Sequence, residues 1–226
     1  MCGRYSLAPK KPQKEAMSLE TDLPAELQVS YNIAPVQQAY VISGNQPRRL
    51  QSMQWGLVPH WSKDGKNSGK LINARAESIL EKPSFREPVQ SKRCLVPADS
   101  FYEWRKEPGG AKTPYRIFLR SGDMLYMAGI WDEWPGNSEK KCTFSIITTT
   151  PNAEMSTLHD RMPVILADAA ARELWLSDAP LETVLPLLKP VENGMLSMYR
   201  VSDKLNKVGY DGPDLQEELP EVWRLF

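Results

Sequence analysis

Between Arg93 and Thr150 the chain reads as one strand after another. "RCLVP", "SFYEW", "PYRIFLR", "MLYMAGIW" and "TFSIITTT" are short runs rich in branched and aromatic residues, each bounded by Gly, Pro or Asp. Runs so short and so close together pair with their neighbours, which limits the fold to one built on a mostly antiparallel sheet. In "PYRIFLR", Tyr115, Ile117 and Leu119 alternate with Arg116 and Arg120, the pattern of a half-buried strand with its arginines toward solvent. "LYMAGI" is apolar throughout and is expected to be covered on both faces. "PGGAKTP" fits a hairpin turn joining "FYEW" to "PYRIFLR". Upstream, "AYVIS" reads as a strand closed by the turn "GNQP", and "RRLQSMQWGLVPHW" starts strand-like and ends in a Pro-aromatic loop. Helical character falls in "KEAMSLETDL", in "DAAARELWL" with Asp168 as its N-cap, and in "LETVLPLL". The expectation is an α+β fold: a single domain over residues 1–226, built on a curved, mostly antiparallel, barrel-like β-sheet with peripheral helices.

Composition narrows the function classes. Lys+Arg and Asp+Glu are both 28, so the overall charge requires no polyanion partner; the acidic tail "DGPDLQEELPE" nevertheless leaves the interior richer in arginine, and nucleic acid stays open. No charged start leads into an apolar run and no stretch reaches the length of a membrane span, so a cytoplasmic protein without a membrane partner is expected. Cys2, Cys94 and Cys142 are far apart, without C-x-x-C or H-x-x-x-H spacing, which predicts neither a disulfide framework nor a metal site, and no cofactor. A catalytic imidazole has two candidates, His60 and His159.

The opening "MCGRYS" carries the sharpest chemistry. With Met1 removed, Cys2 holds a free α-amine and a thiol on neighbouring carbons. An α-amine titrates near 7.7–8.0 and a thiol near 8.5, so at neutral pH a useful fraction of the amine is a nucleophile. It forms an imine with an aldehyde, and the adjacent thiol closes a five-membered thiazolidine. The same thiol could instead attack a peptide carbonyl.

Other stretches admit two readings each. In "FYEW", Glu103 either lies desolvated between aromatics, as a general acid or base would, or turns to solvent by alternation. "LHDRMP" sets His159 beside Asp160 and Arg161, a cluster that serves either a structural hydrogen bond or a site. In "LINARAES", Asn73 and Arg75 share a face if the stretch is extended; that face is either plain surface or a site where Asn73 orients a reacting group and Arg75 meets a phosphate. "SFREPVQSKR" adds Arg86, Lys92 and Arg93, read most simply as solvated charges. Pro35 in "NIAP" and Trp61 in "PHWSK" are either packing at the core edge or exposed wedges against an unstacked base.

Together, "MCGRYS", "YNIAP", "MQWGLVPHW", "LINARAES", "KRCLVPADSFYEW", "AGIWDEW", "SIITTTPN" and "LHDRMPVIL" resemble the SOS-response-associated peptidase family, the abasic-site-processing proteins. The match runs in order from residue 2 to about residue 166 and is looser from there to the end, where "YRVSDKLNKVGYDGP" stands. The resemblance implies a sensor that crosslinks itself to abasic sites in single-stranded DNA through Cys2, with Asn73, Glu103 and His159 as its other active-site residues. It implies DNA contacts at Arg4, Arg75, Arg86, Thr148 and Arg161 and base-wedging at Pro35 and Trp61. His60 departs from relatives that carry a second tryptophan there, which leaves the shape of the wedge open. Two rival functions stay open: a thiol peptidase using Cys2 and His159, which could act on its own Met1, and a non-catalytic reader of single-stranded or modified DNA.

Overall fold

A computed structural model of the chain describes residues 2–9, 27–47, 49–66, 69–136 and 140–220. The helix expected in "KEAMSLETDL" lies outside the described residues. The strands are β1 (Arg4–Leu7), β2 (Ser30–Ile33), β3 (Gln38–Ser43), β4 (Leu50–Trp55), β5 (Asn73–Arg75), β6 (Arg93–Ala98), β7 (Ser100–Lys106), β8 (Lys112–Leu119), β9 (Leu125–Trp134), β10 (Lys141–Thr149), β11 (Met162–Pro163) and β12 (Leu196–Arg200).

Five of them close into a barrel in the order β10-β4-β3-β6-β9, with β9 pairing back onto β10. A second sheet, β12-β8-β7-β1-β2, is antiparallel throughout. In the barrel sheet only the ladders of β10 with β4 and with β5 are parallel, so the expected mostly antiparallel, barrel-like architecture forms, and among the described residues the helices around it are short. Leu125 through Ile130, the core of "LYMAGI", are buried because β9 pairs with β6 on one side and with β10 and the 164–166 segment on the other. At Gly129 these strands converge: a Cβ there would sit 2.9 Å from Cys94 Sγ and 3.1 Å from the Ser145 carbonyl oxygen. Pro97 is tolerated inside β6 because β3 pairs only with Cys94 and Leu95, so no ladder bond from β3 is asked of residue 97. In the barrel interior Trp55 stacks on Phe144 at 6.4 Å between centroids, and Tyr5 of β1 meets Trp55 edge-on at 5.2 Å. Aromatic pairs of this kind add about 0.5–1.5 kcal/mol beyond area burial. The Tyr5 contact fastens the second sheet, and the amino terminus with it, to the barrel.

The hairpin in "PGGAKTP" forms, closed by Glu107 N–H donating to the Ala111 carbonyl at 2.9 Å. The helix Ala169–Leu176 is capped as expected, Asp168 Oδ1 accepting from Ala171 N–H at 2.7 Å. Three expectations are corrected. "LETVLPLL" is helical only over Leu181–Val184 and tightens to a 3-10 turn over Leu185–Leu187, since Pro186 supplies no N–H to continue the α ladder. Arg116 is 5% exposed rather than solvated. Its guanidinium donates to Ser100 Oγ, Tyr199 Oη and Asp99 Oδ2 at 2.8, 2.6 and 2.9 Å, and Gln216 Nε2 donates to the same Asp99 oxygen at 2.7 Å. Alternation marks a solvent face only if that face stays bare, and here the C-terminal segment covers it. Arg93 is likewise buried: it donates to the carbonyls of Val89, Gln90, Trp175, Ser177 and Ala179, gathering the end of the Ala169–Leu176 helix onto β6. Among the described residues no helix is long and apolar enough to cross a membrane.

Candidate active site

Cys2 is buried at the mouth of β1, where the two sheets meet. Its carbonyl oxygen accepts a hydrogen bond from Asn73 Nδ2 at 2.9 Å, and its Sγ lies 3.9 Å from the Arg4 carbonyl oxygen. Asn73 arrives on β5, which runs parallel to β10 and pairs Asn73 with Ile146 and Arg75 with Thr148. The strand is extended, so Asn73 faces the amino terminus while Arg75, on the same face, is exposed. Asn73 Oδ1 is buried and has no hydrogen-bond partner among the described residues.

Glu103 comes from the other side. Arg4 pairs with Tyr102 across the β1–β7 ladder, so the next residue of β7 lies beside the chain just before Arg4. Glu103 is 2% exposed, which decides between its two readings in favour of the desolvated one. Both faces of β7 are covered, the one bearing Tyr102 by a small cluster with Val201, Leu205 and Leu215. Burial, and secondly the charge of Glu103, push the Cys2 thiol far above its ordinary pKa, so at neutral pH the sulfur is a thiol and not a thiolate.

His159 and Glu103 line one open cavity of about 470 Å³, with Trp104, Lys106, Lys112 and Asn206. His159 Nδ1 accepts from Arg161 N–H at 3.0 Å, which in the neutral ring places the proton on Nε2. Asp160 Oδ1 lies 2.8 Å from the same Nδ1, a partner for the protonated ring.

The expected DNA-contacting residues fall into two groups. Arg75, Arg86 and Trp61 are exposed, Trp61 by 55%, and Pro35 is half-buried on the loop after β2. Arg4 is half-buried, its Nη1 donating to Asn32 Oδ1 at 2.6 Å and to the Leu205 carbonyl at 2.7 Å. Thr148 and Arg161, by contrast, are buried and bonded to each other: Arg161 Nη2 donates to the Thr148 carbonyl at 2.7 Å and lies 3.3 Å from its hydroxyl. Arg161 also holds Glu77 with both guanidinium nitrogens, at 2.5 and 3.0 Å. The Arg161 hydrogen bond keeps the Glu77 carboxyl below its usual range. His60 is tied to a neighbouring acid. Its N–H and ring Nδ1 both turn to Asp132 Oδ2, at 2.8 and 3.0 Å, which leaves the neighbouring Trp61 as the exposed ring.

Three residues that sequence reasoning misses belong to this region. Glu77 sits in "LINARAES", four residues beyond Asn73, and balances Arg161. Asn32 of "YNIAP" seats Arg4 and donates to the Lys207 and Tyr210 carbonyls at 3.1 and 2.8 Å. Val36, after Pro35, is 53% exposed and has φ of +66°, a conformation that β-branched residues rarely hold. Among the described residues no group of three or more His, Cys, Asp or Glu is placed to hold a metal ion.

A family model described as SOS response associated peptidase (SRAP) matches residues 1–208. The chain is 42% identical over 225 residues to the abasic site processing protein YoqW of Bacillus subtilis (strain 168), covering 96% of this chain and 99% of that one. It is 36% identical over 193 residues to the abasic site processing protein HMCES of Gallus gallus, covering 74% of this chain and 56% of that one. A crystal structure of a protein from Bacteroides thetaiotaomicron has the same fold, with a TM-score of 0.84 at 32% identity over 96% of this chain and all of that one. With Asn73 and Glu103 placed beside Cys2 and the match spanning nearly the whole length, the chain belongs to the SOS response associated peptidase family.

Proposed function

We propose that this chain senses abasic sites in single-stranded DNA and captures them covalently through Cys2 once Met1 has been removed. The observation that carries the reading is the grip of Asn73 on the main chain of residue 2, next to the buried Glu103. Asn73 Nδ2–H holds the Cys2 carbonyl, and its buried, unpartnered Oδ1 is an acceptor suited to the α-amine that loss of Met1 would create. The relatives' names, abasic site processing protein, point the same way.

The chemistry follows in steps. An abasic sugar is mostly a closed hemiacetal, and opening it to the aldehyde is helped by a proton delivered to the ring oxygen; Glu103 or His159 supplies it. The α-amine adds to the aldehyde carbon and water leaves, giving an imine. The Cys2 thiol then adds to the imine carbon: a C–S bond forms, the S–H proton passes to nitrogen, and the thiazolidine is complete. Burial raises the pKa of the Cys2 thiol, which supports a reaction opened by the amine over a peptidase that begins from a thiolate. In this reading Arg75, Arg86 and Arg4 hold phosphates, Pro35 and Trp61 part the bases, and Thr148 positions Arg161 for the backbone.

The test is crosslinking to an oligonucleotide with one abasic site. The wild-type chain is expected to give a heat-stable adduct. Cys2→Ala, which keeps an amine but lacks the thiol, is expected to give a reversible imine only. An equally stable adduct from Cys2→Ala, or from a chain whose residue 2 is blocked by an uncleavable tag, would overturn the proposal.

A further inference from the structure

We infer that the cavity lined by Glu103, His159, Trp104, Lys106, Lys112 and Asn206 seats one nucleotide flanking the abasic site, with Trp104 under its base and the two lysines on its phosphodiester. The inference rests on the proposed capture of abasic DNA and adds a subsite to it. Glu103 and His159 are part of the cavity's lining, so a ligand in it lies beside the groups proposed to act on the sugar. Its volume of about 470 Å³ lies within the roughly 300–1,000 Å³ of small-ligand sites, enough for a nucleotide unit and too little for a duplex.

The side chains fit that occupant. Trp104 is half-buried, and its indole Nε1 donates to Asn206 Oδ1 at 2.9 Å, so the ring is fixed in orientation while part of it stays open. A fixed aromatic face is the common platform for an unpaired base. Lys106 and Lys112 are exposed and stand directly opposite each other across the β7–β8 ladder. Like charges in that position destabilise a ladder. Among the described residues neither lysine forms an ion pair, and the adjacent acid, Glu107, lies 2.9 Å from Arg105 Nε. A repulsive pair in the lining of this cavity is explained by an anion that comes to sit between its members. The far wall is held in place by Arg4, whose Nη1 bonds the Leu205 carbonyl beside Asn206, so the same arginine that neighbours Cys2 also shapes the seat.

The experiment measures non-covalent affinity, by fluorescence anisotropy, for single strands carrying a tetrahydrofuran abasic analogue, which has no aldehyde. The analogue is placed internally, at the 5′ end or at the 3′ end, and wild type is compared with the Lys106→Gln, Lys112→Gln double variant. The double variant is expected to bind the internal substrate about tenfold more weakly, with a salt slope smaller by about 0.7 for each phosphate no longer neutralised. One terminal substrate should show the same weakening and the other none, because the second lacks the nucleotide that the seat takes. The variant's melting temperature should equal or exceed that of wild type, since the opposed charges are gone. Unchanged affinity for the internal substrate, or an equal weakening with all three, would overturn the inference. Adduct formation on a natural abasic strand is scored separately, so a wild-type chain that binds but never crosslinks would refute the capture reaction while the binding pattern still decides the seat.

Discussion

Replacing Asn73 by alanine separates stability from chemistry. The substitution removes the 2.9 Å bond from Nδ2 to the Cys2 carbonyl, a net contribution of about 0.5–1.5 kcal/mol, and leaves that carbonyl without its partner. It also removes Oδ1, which is buried and unpartnered among the described residues and so carries a desolvation cost of its own that disappears. The two effects oppose each other, and a net destabilisation of about 1 kcal/mol is expected, or about 2–4 °C in melting temperature for a chain of this size. The chemical effect is larger. A reacting group displaced by about 1 Å loses about 10²-fold in rate, equivalent to about 2.7 kcal/mol. Single-turnover crosslinking with protein in excess, at a temperature where both forms are folded, is therefore expected to slow by about two orders of magnitude while the melting temperature moves by a few degrees. A folded Asn73→Ala protein that crosslinks within about threefold of the wild-type rate, a change of under 1 kcal/mol, would refute the argument that Asn73 positions residue 2.

Four further outcomes are expected. Glu77→Gln frees Arg161 from its bidentate partner, so affinity for an intact single strand should rise and its salt slope steepen by about 0.7; an unchanged slope would remove Arg161 from the phosphate contacts. Because the Glu77 carboxyl is held below its usual range, the pair's modest stabilisation is present above ordinary carboxylate pKa values and lost as pH falls through the lower folded value, so melting curves between about pH 5 and pH 3 should flatten in Glu77→Gln. Val36→Gly should raise the melting temperature, since relief of about 1–3 kcal/mol of backbone strain outweighs the 0.5–1 kcal/mol, roughly, that glycine costs in chain entropy; a lower melting temperature would contradict it. Burial pushes all three thiols up, with Glu103 adding to the effect at Cys2, so the native chain at pH 7.5 should react slowly with iodoacetamide and its urea-unfolded form quickly. Rapid native labelling at Cys2 would revive a thiolate mechanism.

Local pattern discloses the elements whose determinants are local. The hairpin at "PGGAKTP", the Asp168 cap and the doubly covered "LYMAGI" each depend on residues within a few positions of one another. Arg116 and Arg93 escape a local reading because what surrounds them comes from elsewhere: Tyr199 and Gln216 reach Arg116 and its partner Asp99 from the end of the chain, and Trp175, Ser177 and Ala179 offer carbonyls to Arg93 from a remote helix end. The same limit leaves Glu103 undecided in the sequence, since its burial depends on β1, nearly a hundred residues earlier, pairing alongside β7. Cys2 and Asn73 are legible through their motifs, but the bond that joins them depends on β5 pairing parallel to β10, which no run of residues announces. Glu77 is within reach of sequence reasoning, as an acid four residues after Asn73 in an arginine-bearing stretch. The positive φ at Val36 is not, because that position gives no glycine or asparagine to signal it.

The attachment of abasic DNA to residue 2 is tested most directly by intact mass spectrometry of the purified chain before and after incubation with an abasic oligonucleotide, followed by peptide mapping of the adduct. The free chain is expected at the mass lacking Met1. The adduct is expected at the sum of that chain and the oligonucleotide less one water, with the sugar remnant on the peptide beginning at Cys2. An adduct that retains Met1, or one whose remnant maps to a lysine or to any residue other than Cys2, would contradict the account.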